Sequence, residues 1–188
     1  MKFRIVALAL AACALASPGV SFAAKDKAEE QAEVRKAAQS ALDALYKVQP
    51  SARKAVESAA GYAAFSNFGM KIMVAGSGTG KGMAVNNKSK QQTYMKMAEI
   101  QAGLGFGVKK FKLIWVFATQ EALNKFVNSG WEIGGQATAS AKTGDKGASY
   151  QGAVAISPDV YLYQLSGDSL AVELTAKGTK YYKDDDLN

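Results

Sequence analysis

The sequence predicts an α+β domain: a curved antiparallel sheet or small barrel with glycine-alternating strands, N-terminal helices and one inserted helix. Three observations predict it. An amphipathic helical pattern opens the chain after residue 24. Short strand-like runs separated by turn signals fill the rest. Glycine then recurs at every second position in two of those runs, Gly76, Gly78, Gly80 and Gly82 in one and Gly103, Gly105 and Gly107 in the other. Alternate residues of a strand share a face, so each comb strips one face bare. Glycine weakens a strand, so the pattern answers a geometric need: tight curvature, close approach of another backbone, or close approach of a ligand.

The elements follow in order. Lys2 and Arg4, the apolar run Ile5 to Ala16 and the small-residue site Ser21-Phe22-Ala23 read as a secretory signal peptide over 1–23. Residues 24–188 form the expected single domain, exported to the periplasm. Leu10-Ala11-Ala12-Cys13 resembles a lipobox, and lipidation of Cys13 would anchor the chain to a membrane. The short apolar run ahead of it, about six residues, favours plain cleavage instead.

Lys25 to Gln49 carries Val34, Ala38, Ala41, Leu42, Leu45 and Val48 at helical spacing, and Pro50 interrupts it. A short helix follows, with Ala52, Ala55, Val56 and Ala59 inward and Gly61 as its stop. Strands are expected at Tyr62–Phe68, Lys71–Val85 and Thr93–Val108, with the turn Asn86 to Lys90 between the last two. On the third, Ala98, Ile100, Ala102, Leu104, Phe106 and Val108 form an apolar row opposite the comb. Phe111 to Ala118 is apolar on both faces after Lys112, as in a strand covered on both sides. Thr119 caps the inserted helix, Ala122, Leu123, Phe126 and Val127 face inward, and Gly130 ends it. Strands at Ile133–Ala141 and Tyr150–Ile156, then a hairpin from Val160–Leu165 into Leu170–Lys177, complete the chain.

Composition excludes several chemistries. The 188 residues contain no histidine, and their single cysteine, Cys13, lies in the leader. Ser-His-Asp and Cys-His catalysis are therefore excluded, as is a zinc site on nitrogen or sulfur ligands. Glu99, Glu132, Glu173 and Asp159 stand in no acid–base motif, so no enzyme, catalytic residue or cofactor is expected. Gly76 to Lys81 is not a P-loop, because Ala75 and Gly82 break its pattern and a strand follows. Asp184-Asp185-Asp186 reads as a solvated tail, and no metal is expected.

Positive charge is the remaining signal. Lys and Arg number 23 against 16 Asp and Glu, and loss of Lys2 and Arg4 with the leader leaves 21 against 16. An exported basic protein suits an anionic membrane surface rather than nucleic acid. Lys71 and Lys81 on the first comb strand, with Lys109, Lys110 and Lys112 before the apolar strand, would form a basic rim if the comb strands are neighbours. Each lysine near an anionic lipid surface is worth on the order of 1 kcal/mol. Ordinary solubilising charge at strand ends is the competing account. A second function class is a structural or assembly module, its bare strand faces packed on an envelope protein partner.

Ala60-Gly61-Tyr62-Ala63-Ala64-Phe65 followed by the Gly76–Gly82 comb resembles the opening of the SYLF domain family. Tyr163-Gln164-Leu165-Ser166, Leu170, Gly178 and Tyr181-Tyr182 resemble its close, and Arg35-Lys36-Ala37-Ala38 is similar to the start of its first helix. The resemblance spans roughly Val34 to Asn188. It implies a lipid-binding domain, with phosphoinositide binding and membrane remodelling among eukaryotic members and export among bacterial ones. Arg35, Lys36, Arg53 and Lys54 are the lipid-binding residues it implies. Tyr94-Met95-Lys96-Met97 departs from the family's W-S-x-P, Glu173 stands at a common glycine and Ser66 at a frequent proline. With phosphoinositides scarce in bacteria, the implied ligand is an anionic bacterial phospholipid.

Overall fold

The computed structural model describes residues 26–67, 76–101, 111–133, 150–167, 169–170 and 179–188. Helix α1 (Lys27–Val48) starts where the Asp26 carboxylate accepts from the Ala28 N–H at 3.1 Å, with Glu29 and Glu30 in its first turn and Lys47 in its last. This places charge favourably at both ends of the helix dipole. Pro50 separates it from α2 (Ser51–Ser58). That helix stops at Ser58, earlier than the sequence predicts, because Ala59 is already extended (φ −71°, ψ 164°). Gly61 instead opens the first strand, where a Cβ would meet the Val85 carbonyl at 2.4 Å.

Nine described strands follow: β1 (Gly61–Asn67), β2 (Gly76–Asn86), β3 (Gln92–Gln101), β4 (Phe111–Phe117), β5 (Trp131–Ile133), β6 (Val154–Ser157), β7 (Val160–Ser166), β8 (Ser169–Leu170) and β9 (Thr179–Lys183). Helix α3 (Gln120–Ser129) sits between β4 and β5, capped by Thr119 and ended by Gly130 at φ 69°. The strands join antiparallel in the order β5-β9-β3-β2-β1-β4-β7-β6, with β8 on β7.

This sheet is curled into a half-barrel, α+β as expected. Trp115 on β4 and Tyr181 on β9 lie four strand steps apart, which in a flat sheet is about 19 Å at ~4.8 Å per step. Their ring centroids are 5.1 Å apart, and Phe65 on β1 lies 5.0 Å from Tyr181. Curling brings them together. The inner face holds Phe65, Met95, Met97, Leu113, Trp115 and Tyr181, closed by Leu123 and Phe126 of α3. On the outer face Ala64, Met83, Val85, Ile114, Val116 and Tyr163 pack under the Val34, Ala38, Ala41, Leu42 and Leu45 stripe of α1 and under α2.

The described comb serves this curl. Register places Gly80 opposite Met97 and Gly82 opposite Phe65 and Met95, all on the inner face. A Cβ on Gly82 would meet the Ala64 carbonyl at 2.3 Å and the Phe65 ring at 2.5 Å. On Gly80 it would meet Met97 at 3.0 Å. At Gly80 and Gly82 the bare face is thus filled by the protein's own side chains. The second comb, Gly103 to Gly107, lies outside the described residues.

Two further expectations change. Tyr150 begins no strand: Gly152 (φ 82°) turns the chain, β6 starts at Val154, and Tyr150 stacks on Tyr161 at 3.8 Å. The C-terminal acidic run is not a solvated tail. Asp184 is fully buried, and Leu187 and Asn188 are fastened to β3 and α1.

Candidate functional site

The outer face carries a row of lysines that the topology assembles from distant stretches. Register runs across the sheet from Tyr182 (β9) to Lys96 (β3), Lys81 (β2), Ser66 (β1), Lys112 (β4) and Leu165 (β7). Lys81 and Lys96 are direct cross-strand neighbours, a destabilising juxtaposition of like charge. Acids from elsewhere answer it. Glu30 of α1 pairs with Lys81, while Lys96 bridges Asp184 at 2.8 Å and Asp186 at 2.7 Å. The Asp184 and Asp186 hydrogen bonds hold the Lys96 ammonium above the usual lysine range, against some desolvation. Lys96 in return holds the exposed Asp186 carboxyl below its ordinary value.

The C-terminal turn is fixed with equal care. Asp184 N–H and the Asn188 side-chain amide donate to the Tyr94 carbonyl at 3.0 and 2.8 Å, and Tyr94 N–H donates to Asn188 Oδ1 at 2.9 Å. From α1, Lys27 donates to the Asn188 carbonyl and Gln31 to the Leu187 carbonyl, each at 2.7 Å. Lys96, Asp184 and Asp186 escaped sequence reasoning. The available signal was Leu187, a lone apolar residue closing an acidic run.

The predicted site residues divide into distinct groups. Arg35 donates to the Tyr94 hydroxyl beneath α1. Arg53 lies 4.3 Å above the Tyr46 ring and 3.6 Å from Glu57 one turn on. Burial pushes the Tyr46 phenol up to about 12, with Tyr62 adding and Arg53 opposing. Lys36 and Lys54 are exposed on α1 and α2, without an ion-pair partner among the described residues. Lys112 is half-buried in the lysine row, two strands from Lys81. Lys71, Lys109, Lys110 and Cys13 lie outside the described residues. The neighbouring strand ends Asn67, Gly76, Gln101 and Phe111 all sit at the Lys112 end of the sheet.

Such an arrangement has the charge to attract anions. Among the described residues no group of three or more His, Cys, Asp or Glu side chains could hold a metal ion. No described helix is long and apolar enough to cross a membrane.

Comparison with known proteins adds two findings. Residues 98–188 match the family Ysc84, described as Las17-binding protein actin regulator. Beta cell expansion factor A of Aeromonas veronii is 31% identical over 165 residues, covering 87% of this chain and 60% of that protein. The chain therefore spans less than two thirds of that relative's length.

Proposed function

By its C-terminal half, residues 98–188, the chain belongs to the Ysc84 (SYLF) family, and from that premise we propose that it attaches to anionic phospholipid at a membrane of the bacterial cell envelope. Family membership supports a lipid-binding or actin-regulator-like domain in general, and the family is generally a non-enzymatic binding domain. The finer reading, a periplasmic protein exported by residues 1–23 and bound by its lysines, is ours.

The observation that carries it is the unequal treatment of the cations. Lys81, Lys96 and Arg35 are occupied by Glu30, by Asp184 and Asp186, and by Tyr94. Lys36, Lys54 and Lys112 have no acidic partner among the described residues. The first set holds α1 and the C-terminal turn on the sheet. The second set is available to phosphate headgroups, with Lys71, Lys109 and Lys110 as further members on sequence grounds.

Flotation of purified residues 24–188 with phosphatidylglycerol-rich vesicles tests this. Binding should be absent with zwitterionic vesicles and weaken with salt, since exposed charges are screened within about 10 Å at 0.1 M. Lys36→Glu, Lys54→Glu and Lys112→Glu together should lower binding at least tenfold, at on the order of 1 kcal/mol per lysine. Salt-insensitive binding, or a triple variant that floats unchanged, overturns the proposal and favours a protein partner.

A further inference from the structure

The opposite end of the half-barrel holds a cleft that the lipid reading does not use. There α3 faces the β2–β3 hairpin and β9 across an opening of about 110 Å³. Its floor is apolar, from Ala84, Leu123 and Val127, and its walls are amide-rich.

The orientation of those amides is fixed by a chain of hydrogen bonds that begins at the backbone. Lys88 and Ser89 N–H groups both donate to Asn86 Oδ1, at 2.9 and 3.1 Å. Asn86 must then donate through Nδ2, which it does to Gln120 Oε1 at 2.9 Å. Gln120 in turn donates through Nε2 to Asn124 Oδ1 at 2.9 Å. Separately, Lys183 Nζ donates to Asn128 Oδ1 at 2.9 Å. An ammonium accepts nothing, so here too it is the amide oxygen that faces the donor. Asn124 and Asn128 therefore both keep an NH₂ group for a ligand.

These two groups stand one helical turn apart, roughly 5–6 Å between Cβ atoms, with Leu123 and Val127 lining the same cleft. That spacing is the width of one small ring bearing acceptor oxygens on its edge and C–H groups on its face. Gln91 and Thr93 also line the cleft and supply both donors and acceptors, which hydroxyl groups satisfy in either sense. An oxyanion fits less well. Asn128 lies in the last turn of α3, at the negative end of the helix dipole, and among the described residues Lys183 is the only full positive charge lining the cleft.

We propose that this cleft binds a single saccharide ring, held by the Asn124 and Asn128 amides over the Leu123 and Val127 floor. The site lies at the other end of the sheet from Lys112, so its occupancy and vesicle binding are separate properties.

The test is a nuclear magnetic resonance titration of the isotope-labelled chain with three probes: N-acetylglucosamine, glucose and inorganic phosphate. At least one sugar should shift the Asn124 and Asn128 side-chain NH₂ signals saturably, while phosphate leaves them in place. Asn124→Ala with Asn128→Ala should weaken sugar binding at least tenfold, with flotation on anionic vesicles unchanged. If that pair unfolds the chain, Thr93→Val on the hairpin must produce a comparable loss. Absence of any sugar-induced shift, a response to phosphate alone, or sugar binding that survives these substitutions overturns the proposal.

Discussion

On the inner face of the sheet Phe65, Trp115, Phe126 and Tyr181 meet with ring centroids 5.0–6.3 Å apart, and glycines supply the space they need. On the outer face Ala38, Ala41, Leu42 and Leu45 of α1 pack on Ala64, Met83, Val85, Ile114, Val116 and Tyr163 of the sheet, and Lys81 and Lys96 pair with acids. The inner face is specified by the fit of aromatic rings, and the outer face adds paired charge to a largely aliphatic core. Shape complementarity tolerates little change, whereas paired charge at a surface tolerates much unless one partner is buried. The outer face is consequently where cations can be spared for a ligand.

The largest effect should come from the inner face. Phe126 is fully buried and touches the rings of Phe65, Trp115, Phe117 and Tyr181. Phe126→Ala should cost about 3–5 kcal/mol in urea unfolding, as expected for a large ring removed from a close-packed site. A loss below about 1 kcal/mol would mean that the half-barrel interior collapses onto the gap, and the contrast between faces would fail.

The next effect separates the two lysines of the outer row. Lys96→Met leaves Asp184, at 0% side-chain exposure, without its counter-charge. Breaking a buried pair in this way costs about 3 kcal/mol. Lys81→Met removes a pairing in which both side chains are partly exposed, 38% and 28%. Such a pair contributes about 1 kcal/mol or less. Equal losses in the two variants would break the idea that burial of Asp184 makes the difference.

The fold was legible where its causes are local. The Thr119 cap and Gly130 stop bound α3, and the alternation of Gly80 and Gly82 with Lys81 and Met83 marks β2. The strand β9 was missed, although Thr179 and Tyr181 are buried and Lys180 and Tyr182 exposed in clean alternation. Four apparently polar or half-polar residues beside an acidic run hid that pattern. The partners that bury Asp184, Lys96 and the Tyr94 backbone, lie some ninety positions away on β3, beyond any local signal. The same holds for the cleft: Asn86 and Gln120 are 34 residues apart, and strand pairing brings them together by setting Asn86 and Phe117 on either side of Gly61. Of the expected lipid-binding residues, sequence supplied the charges but not their partners, so Arg35 and Lys81 could not be told from Lys36 and Lys54.

Alkaline titration gives the smallest expected effect and acts on the outer face. Tyr46, Tyr62, Tyr150 and Tyr163, whose phenols burial pushes up, all belong to the cluster beneath α1 and α2. For Tyr46 and Tyr163 the rise reaches about 12. Tyr163 is fully buried, and its hydroxyl has no hydrogen-bond partner among the described residues. A phenol whose folded value exceeds its unfolded value near 10 stabilises the fold fully below pH 10. That contribution falls as pH rises through 12, because the unfolded chain gives up its protons first. With Tyr46 half-exposed and its share reduced by solvent screening, the loss at pH 11 is on the order of 1 kcal/mol. Tyrosinate absorbance followed alongside circular dichroism checks this: the buried phenols should ionise together with loss of the helical signal. Ionisation of all eight tyrosines near pH 10 in a chain that stays folded would show that solvent already reaches the outer cluster, and that its helices rest on the sheet more loosely than α3 rests on the inner face.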